Sequence, residues 1–188
     1  MRFCSIASGS SGNCIYVGSD NTHVLVDIGI SGKKMETGLN SLELTGGDLD
    51  GILITHEHSD HIKGLGVISR KYGIPIYATA GTVDAMVRTN ALGKIPEGIF
   101  HEIQEDEPFM INDLKVNPFT IPHDAAQPVG YRLEHEGHSV GIATDLGKYN
   151  DYIIENLQGL DALLLEANHD IRMLQVGKYP YYLKQRIL

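Results

Sequence analysis

The sequence predicts a layered α/β protein with mixed β-sheets, and three observations support this class. Strand-like and helix-like segments alternate along most of the 188 residues, which is the pattern of helices packed on sheets. Two β-hairpins interrupt the alternation, so antiparallel pairs must accompany parallel ones. The length and a 42% hydrophobic content suit one well-buried core. Because no internal repeat or linker occurs, we predict a single domain over residues 1–188.

Hydrophobic periodicity and turn residues place the individual elements. Strands are predicted at 2–7, 14–17, 22–27, 51–55, 74–78 and 161–165. Two hairpins are predicted, one joining 109–111 to 114–121 and the other joining 129–134 to 139–144. Helices are predicted at 33–44, 62–72, 82–92 and 149–157, and a further helix is predicted to begin at Pro180.

Composition and charge limit the partners and the compartment. The formal net charge of −9 gives no support for general affinity toward nucleic acids, although bound divalent metals would offset part of it locally. No apolar stretch approaches the roughly 20 residues of a membrane helix, so no membrane partner is expected. Two cysteines are too few for a disulfide framework, and the N-terminus does not resemble a signal peptide. These features predict a cytoplasmic protein.

One short segment, His56-Glu57-His58-Ser59-Asp60-His61, carries most of the chemical information. It follows the apolar run at 51–55. Side chains alternate along an extended chain, so His56 and His58 can point the same way, while Asp60 and His61 would begin a helix. Imidazole and carboxylate ligands together suit zinc, manganese or iron. The alternative is a polar loop rich in histidine, but the spacing and the preceding strand favour a metal-dependent hydrolase.

Five apolar strands end in a residue capable of chemistry. Taken alone, an aspartate after a strand is more often a cap or a turn residue, and a lone histidine is a loop residue. Their recurrence beside the histidine segment favours convergence at one sheet edge, where sites are commonly built. The residues at these strand ends are Asp27, His56, His123, Asp145 and Glu166.

In this order, the motifs Asp27, His56-x-His58-x-Asp60-His61, His123 and Asp145 resemble those of the metallo-β-lactamase superfamily. The segments 8–14, 55–61, 121–125 and 165–170 are more narrowly similar to the YycJ/WalJ group of bacterial hydrolases. Members of that group are regarded as DNA exonucleases. The resemblance extends over the whole chain and implies a four-layer αββα sandwich of mixed sheets.

The resemblance also implies a role for each motif residue. His56, His58 and His123 would hold a first divalent ion, Asp60 and His61 a second, and Asp145 would bridge them. The ions would be zinc, manganese or iron, and together they would activate a water molecule against a phosphodiester. Asp60 would be the catalytic residue that accepts a proton from this water. Asp27 would brace the histidine loop from outside the ligand set.

Other site candidates rest on weaker signals. Asn13 and its glycine-rich turn could approach a phosphate through backbone N–H groups, although a plain tight turn explains the same residues. Glu166, Asn168 and His169 follow the strand predicted at 161–165. His169 could contact metal or substrate, or it could support the ligands from behind.

The superfamily completes its second metal site with a late histidine, which in this group follows a helix beginning near Lys184. No such residue occurs before Leu188. We therefore expect a fragment of a longer protein that lacks its C-terminal closing segment, the alternative being a naturally short form. The second site would then bind metal more weakly than the first. The apolar edge at 163–165 would favour self-association.

Three functions are compatible with these residues. The first is a two-metal phosphodiesterase that acts on DNA, and the second is the same site acting on RNA, a small cyclic phosphodiester, a thioester or a lactone. The third is an inactive metal-binding or partner-binding module. Because the fold serves many substrates, it does not choose among them. The acidic charge favours a small substrate, whereas the group motifs favour DNA, and we give the motifs more weight.

Overall fold

The computed structural model describes residues 1–166, which form eleven strands, five α-helices and one 3-10 turn at Gly46–Asp48. The strands are β1 (Arg2–Ala7), β2 (Cys14–Gly18), β3 (His23–Val26), β4 (Gly51–Leu53), β5 (Ile76–Thr79), β6 (Phe100–Ile103), β7 (Phe109–Ile111), β8 (Leu114–Thr120), β9 (Val129–His135), β10 (His138–Ala143) and β11 (Ala162–Leu165). The helices are α1 (Gly32–Ser41), α2 (Ser59–Ile62), α3 (Leu65–Tyr72), α4 (Ala80–Arg88) and α5 (Asp151–Leu157). None of these helices is long and apolar enough to cross a membrane.

The strands form two mixed sheets. The first sheet has the order β1-β2-β3-β4-β5-β6, with antiparallel pairs up to β3 and parallel pairs beyond it. The second has the order β11-β10-β9-β8-β7, in which only the β10–β11 pair is parallel. The mixed sheets predicted from the alternation and the hairpins are therefore confirmed.

Three hydrophobic clusters separate four layers. Strand β2 shows how the first sheet contributes to two of them, because Cys14 and Tyr16 face one cluster while Ile15 and Val17 face the other. The first cluster lies under α1, α3 and α4, and the second fills the space between the sheets. The third joins the outer face of the second sheet to α5 through Phe119. This arrangement confirms the αββα sandwich.

Some predicted elements differ from the structure. The helix predicted at 62–72 corresponds to α3, which begins at Leu65, and Ile62 instead ends the separate short helix α2. Between them the chain passes Gly64, where a Cβ atom would collide with the backbone of Ile30 and the side chain of Ile28. Strand β6 was missed because its middle residues, His101 and Glu102, are polar and exposed at the sheet edge. The helix predicted from Pro180 lies outside the described residues.

Asp113 ties the two sheets together at the end opposite the histidine segment. It lies in the β7–β8 turn and accepts hydrogen bonds from Ser19, Asn21 and Thr22 in the β2–β3 turn. The hydrogen bonds from Thr22 and Ser19, in that order, lower the pKa of Asp113 to about 2. A depressed pKa means that folding favours the ionised carboxylate.

We expect Asp113→Asn to destabilise the protein at neutral pH and to matter progressively less in acid. The contribution of the carboxylate is present above the ordinary pKa of 3.8 and is lost as the pH falls toward about 2. Urea unfolding of the metal-free protein between pH 7 and pH 3 measures this effect. The exposed Asp20→Asn in the same turn is the control. A stability difference that does not change with pH would contradict the assignment.

Candidate metal centre

Residues from both sheets meet at the edge where β3, β4, β8 and β10 end. Asp27 follows β3, His56 follows β4, His123 follows β8 and Asp145 follows β10. Two hydrogen bonds hold the sheets together here. The Val129 N–H donates to the carbonyl of Thr55 over 3.0 Å, and the Tyr131 hydroxyl donates to the carbonyl of Ile54 over 2.8 Å. The structure thus brings together the strand ends that the sequence predicted to converge.

The first group of potential ligands is formed by His56, His58 and His123. One ring nitrogen of each lies within 4.8 Å of the others, and His58 Nδ1 is 3.1 Å from His123 Nε2. The three rings meet edge to face, with centroids 4.7–4.9 Å apart. His56 is buried, and the other two are partly buried. This group can hold one metal ion through three imidazoles, and it is the set that the family resemblance implies.

The second group consists of His56, His61 and Asp145, with ligand atoms again within 4.8 Å of one another. Asp145 Oδ2 is 2.7 Å from His61 Nε2 and 3.7 Å from His56 Nε2, so this carboxylate lies between the two rings. Asp60 Oδ2 is 3.8 Å from His61 Nε2. The sequence prediction placed His56 only in the first set, whereas in the structure it belongs to both groups.

Asp27 supports these groups from beneath the histidine loop. Its fully buried carboxylate accepts hydrogen bonds from Thr55 N and Thr55 Oγ1, and its Oδ2 lies 2.8 Å from His61 Nδ1. Its backbone has a φ of 61°, in the left-handed region that costs energy for a residue other than glycine. Asp145 has a similar φ of 54°. Backbone strain of this kind is concentrated at functional sites.

The hydrogen-bond directions decide which ring nitrogen of His56 is free. The Thr55 hydroxyl donates to Asp27, so its oxygen accepts from the Nδ1–H of His56 over 3.0 Å. Nε2 of His56 is then unprotonated, and it is buried without a hydrogen-bond partner among residues 1–166. A buried lone pair without a partner costs free energy unless a ligand occupies the space it faces. The donor set therefore fits a divalent metal ion.

The local electrostatics favour a cation at the same place. Burial, followed by the charges of His61 and His123, holds the pKa of His56 well below its ordinary value. Burial also lowers the pKa of His123, so both rings are neutral near pH 7, the form that binds metal. Burial by itself would lower the pKa of His61. The carboxylates of Asp27 and Asp145 outweigh burial and raise this pKa to about 10. The position beside His61 Nε2 thus attracts a positive charge, which a metal can supply in place of the proton.

Two of the weaker candidates lie next to these groups. Asn13 is buried, and its Nδ2 is 3.1 Å from His61 Nε2, while its Oδ1 accepts from Gly9 N. Its side chain therefore reaches the second group. Glu166 Oε2 accepts from Asp145 N over 3.1 Å, and burial raises the pKa of Glu166. Asn168 and His169 lie outside the described residues.

Sequence reasoning missed two residues that shape this centre. Thr55 links Asp27 to His56, and the signal for it was a hydroxyl residue directly before the first histidine. Gly29 packs against the backbone of Asp60, where a Cβ atom would collide with the Asp60 carbonyl. In the sequence, the only indication was a glycine two residues after Asp27, since glycine is common where two backbones approach closely.

Comparison with known proteins identifies the family. Residues 22–178 match the beta-lactamase superfamily domain. The chain is 42% identical over 188 residues to exodeoxyribonuclease YycJ of Bacillus anthracis, covering 100% of this chain and 70% of that protein. The chain belongs to the YycJ/WalJ group of the metallo-β-lactamase superfamily. It is 41% identical, with the same coverage, to exodeoxyribonuclease WalJ of Streptococcus pneumoniae strain D39. The protein is accordingly a metal-dependent hydrolase.

Solved structures agree with this assignment at the level of fold. Zn²⁺-bound PqqB from Methylobacterium extorquens has a TM-score of 0.71 and 18% identity, covering 89% of this chain and 64% of its own. The Rm3 metallo-β-lactamase has a TM-score of 0.62 and 19% identity, with 75% and 58% covered. The chain thus spans about three fifths of these structures. A fold so widely shared implies divalent metal ions but does not identify the metal or the substrate.

We expect Asp27→Asn to weaken zinc binding by about 10–100-fold while the protein still folds, because the amide cannot accept from both Thr55 and His61. A competition titration with a coloured zinc chelator measures the affinity. The exposed Asp20→Asn is the matched control. Unchanged zinc affinity in a folded Asp27→Asn protein would show that this carboxylate does not organise the metal centre.

Proposed function

We propose that this protein is a dinuclear metal-dependent phosphodiesterase that acts on DNA as an exonuclease. The observation that carries the proposal is the pair of adjacent ligand groups sharing His56, with Asp145 between the rings of His56 and His61. Nε2 of His56 can bind only one ion, so a first ion beside His58 and His123 would leave His61 and Asp145 for a second. Two adjacent ions suit the binding of one phosphodiester. The relatives named as exodeoxyribonucleases support DNA as the substrate.

In this proposal, each site residue keeps the role expected from the family. One zinc or manganese ion would be held by three imidazoles, the second by Asp60 and His61, and Asp145 would bridge both. When bound, the ions lower the pKa of a water molecule and neutralise charge that develops on the phosphoryl group. The three-histidine set is His56, His58 and His123.

The residues of the chain supply position and proton transfer. The Thr55 hydroxyl holds the ring of His56, and Asp27 holds that of His61, so the Nε2 atoms of both point into the centre. The Asp60 side chain is 32% exposed beside His61 and can accept the proton of the attacking water. Asn13 places an amide beside the second group, where it can donate to a phosphoryl oxygen.

The overall acidity of the chain constrains how DNA would be bound. A net charge of −9 gives no support for broad electrostatic attraction as the source of affinity for a polyanion. Binding would therefore depend on the metal ions themselves, and it would be abolished when they are removed. We propose action in the cytoplasm. Self-association through the edge strand β11, on which Leu163 and Leu165 are 41% and 50% exposed, stays a prediction.

Asp60→Asn and His58→Ala should each lower the hydrolysis of a chromogenic phosphodiester with added manganese by at least about a hundredfold. Neither side chain belongs to a hydrophobic cluster, so the fold should persist. The control is His138→Ala, whose side chain is 64% exposed. Full activity in either ligand variant would refute its role, and an inactive wild type would favour a binding module.

End-labelled substrates then distinguish DNA from the alternatives. We expect stepwise shortening of duplex DNA with manganese or zinc and none with chelator, while RNA of the same sequence is cleaved more slowly. Faster cleavage of RNA, or cleavage of only the small chromogenic ester, would contradict the DNA exonuclease and favour the alternative substrates.

A further inference from the structure

Glu57 makes an unusual contact between the two loops that carry the three-histidine set. It lies between His56 and His58 in the loop after β4. Its Oε1 accepts a hydrogen bond of 2.8 Å from the backbone N–H of Ala126, which is 69 positions away. Ala126 follows His123 by three residues, so this contact joins one histidine loop directly to the other.

Other hydrogen bonds attach the loop that holds His123 at Pro122 and at Gln127, on either side of its middle. The Ile121 N–H donates to the carbonyl of Pro128 over 3.3 Å, which closes the loop on itself. Gln127 is bound on its far side, where its side chain accepts from Gly81 N over 2.7 Å. Among residues 1–166, Glu57 is the side chain of the histidine segment that hydrogen-bonds to the backbone of this loop.

The second oxygen of Glu57 indicates that this position is not optimised for stability. Oε2 is buried and has no hydrogen-bond partner within the described part of the chain. Burying a carboxylate oxygen without a partner costs free energy. Buried polar atoms without a partner are expected at functional sites, where the geometry of the site matters more than stability.

We propose that Glu57 is a positioning residue that sets the separation between His58 and His123, 3.1 Å between Nδ1 and Nε2, by holding the backbone at Ala126. This inference rests on the proposed function, since it concerns the ion held by the three histidines. Ligand atoms must lie within a few tenths of an ångström of their metal-binding positions. A loop freed at Ala126 would leave His123 poorly placed, although no ligand is removed.

The test is metal binding by the full chain carrying Glu57→Ala, Glu57→Gln or Glu57→Asp. Glu57→Ala should weaken zinc affinity about tenfold and change the visible spectrum of the protein with one equivalent of Co²⁺. Glu57→Gln should bind within about threefold of wild type, because its amide oxygen can still accept from Ala126. Glu57→Asp should behave like Glu57→Ala, because the shorter side chain does not reach. It also provides a second variant if Glu57→Ala does not fold.

Glu97→Ala, at an exposed turn, is the matched control and should bind like wild type. The proposal would be overturned if Glu57→Ala had the affinity and the spectrum of the wild type. Glu57 would then only stabilise the fold, even if the variant were less stable without metal. Equal losses in Glu57→Gln and Glu57→Ala would overturn it as well, since charge rather than the hydrogen bond would then matter. A wild-type chain that binds neither ion would contradict the proposed function itself.

Discussion

The buried carboxylate of Asp27 is the interaction on which the geometry of the metal centre depends. It accepts from the backbone and the hydroxyl of Thr55 and contacts the ring of His61, so one side chain orients two histidines, one of them through Thr55. A carboxylate can be buried only when such partners satisfy it. The left-handed backbone of Asp27 turns the chain away from β3 so that the carboxylate reaches beneath the histidine loop.

The two-sheet architecture supplies the remaining ligands. Hydrophobic side chains pack the sheets face to face, but this packing alone does not fix how far one sheet is shifted relative to the other. The hydrogen bonds from Tyr131 to Ile54 and from Val129 to Thr55 set the register at the metal end, and those of Asp113 set it at the other. His123 and Asp145, which follow strands of the second sheet, are thereby delivered to the histidine loop of the first.

The same fold explains why the histidines of one short motif behave differently. His56 is fully buried against a hydroxyl and other imidazoles, so burial keeps it neutral and its Nε2 stays free. His61 lies between two carboxylates and favours a positive partner. Neutral donors beside concentrated negative charge form a site for divalent cations in a chain whose overall charge is itself negative.

The sequence by itself determined the features that depend on neighbouring residues. The strand β2 and the start of a helix at the motif could be predicted, because period and spacing are local properties. The six residues proposed to hold metal followed instead from the resemblance of the motifs to the superfamily. Only the tertiary structure decided the sharing of His56 between two groups, the bridge through Thr55 and the contact of Glu57 with Ala126. These contacts join residues far apart in the chain, and their distances follow from how two sheets pack, which no local pattern encodes.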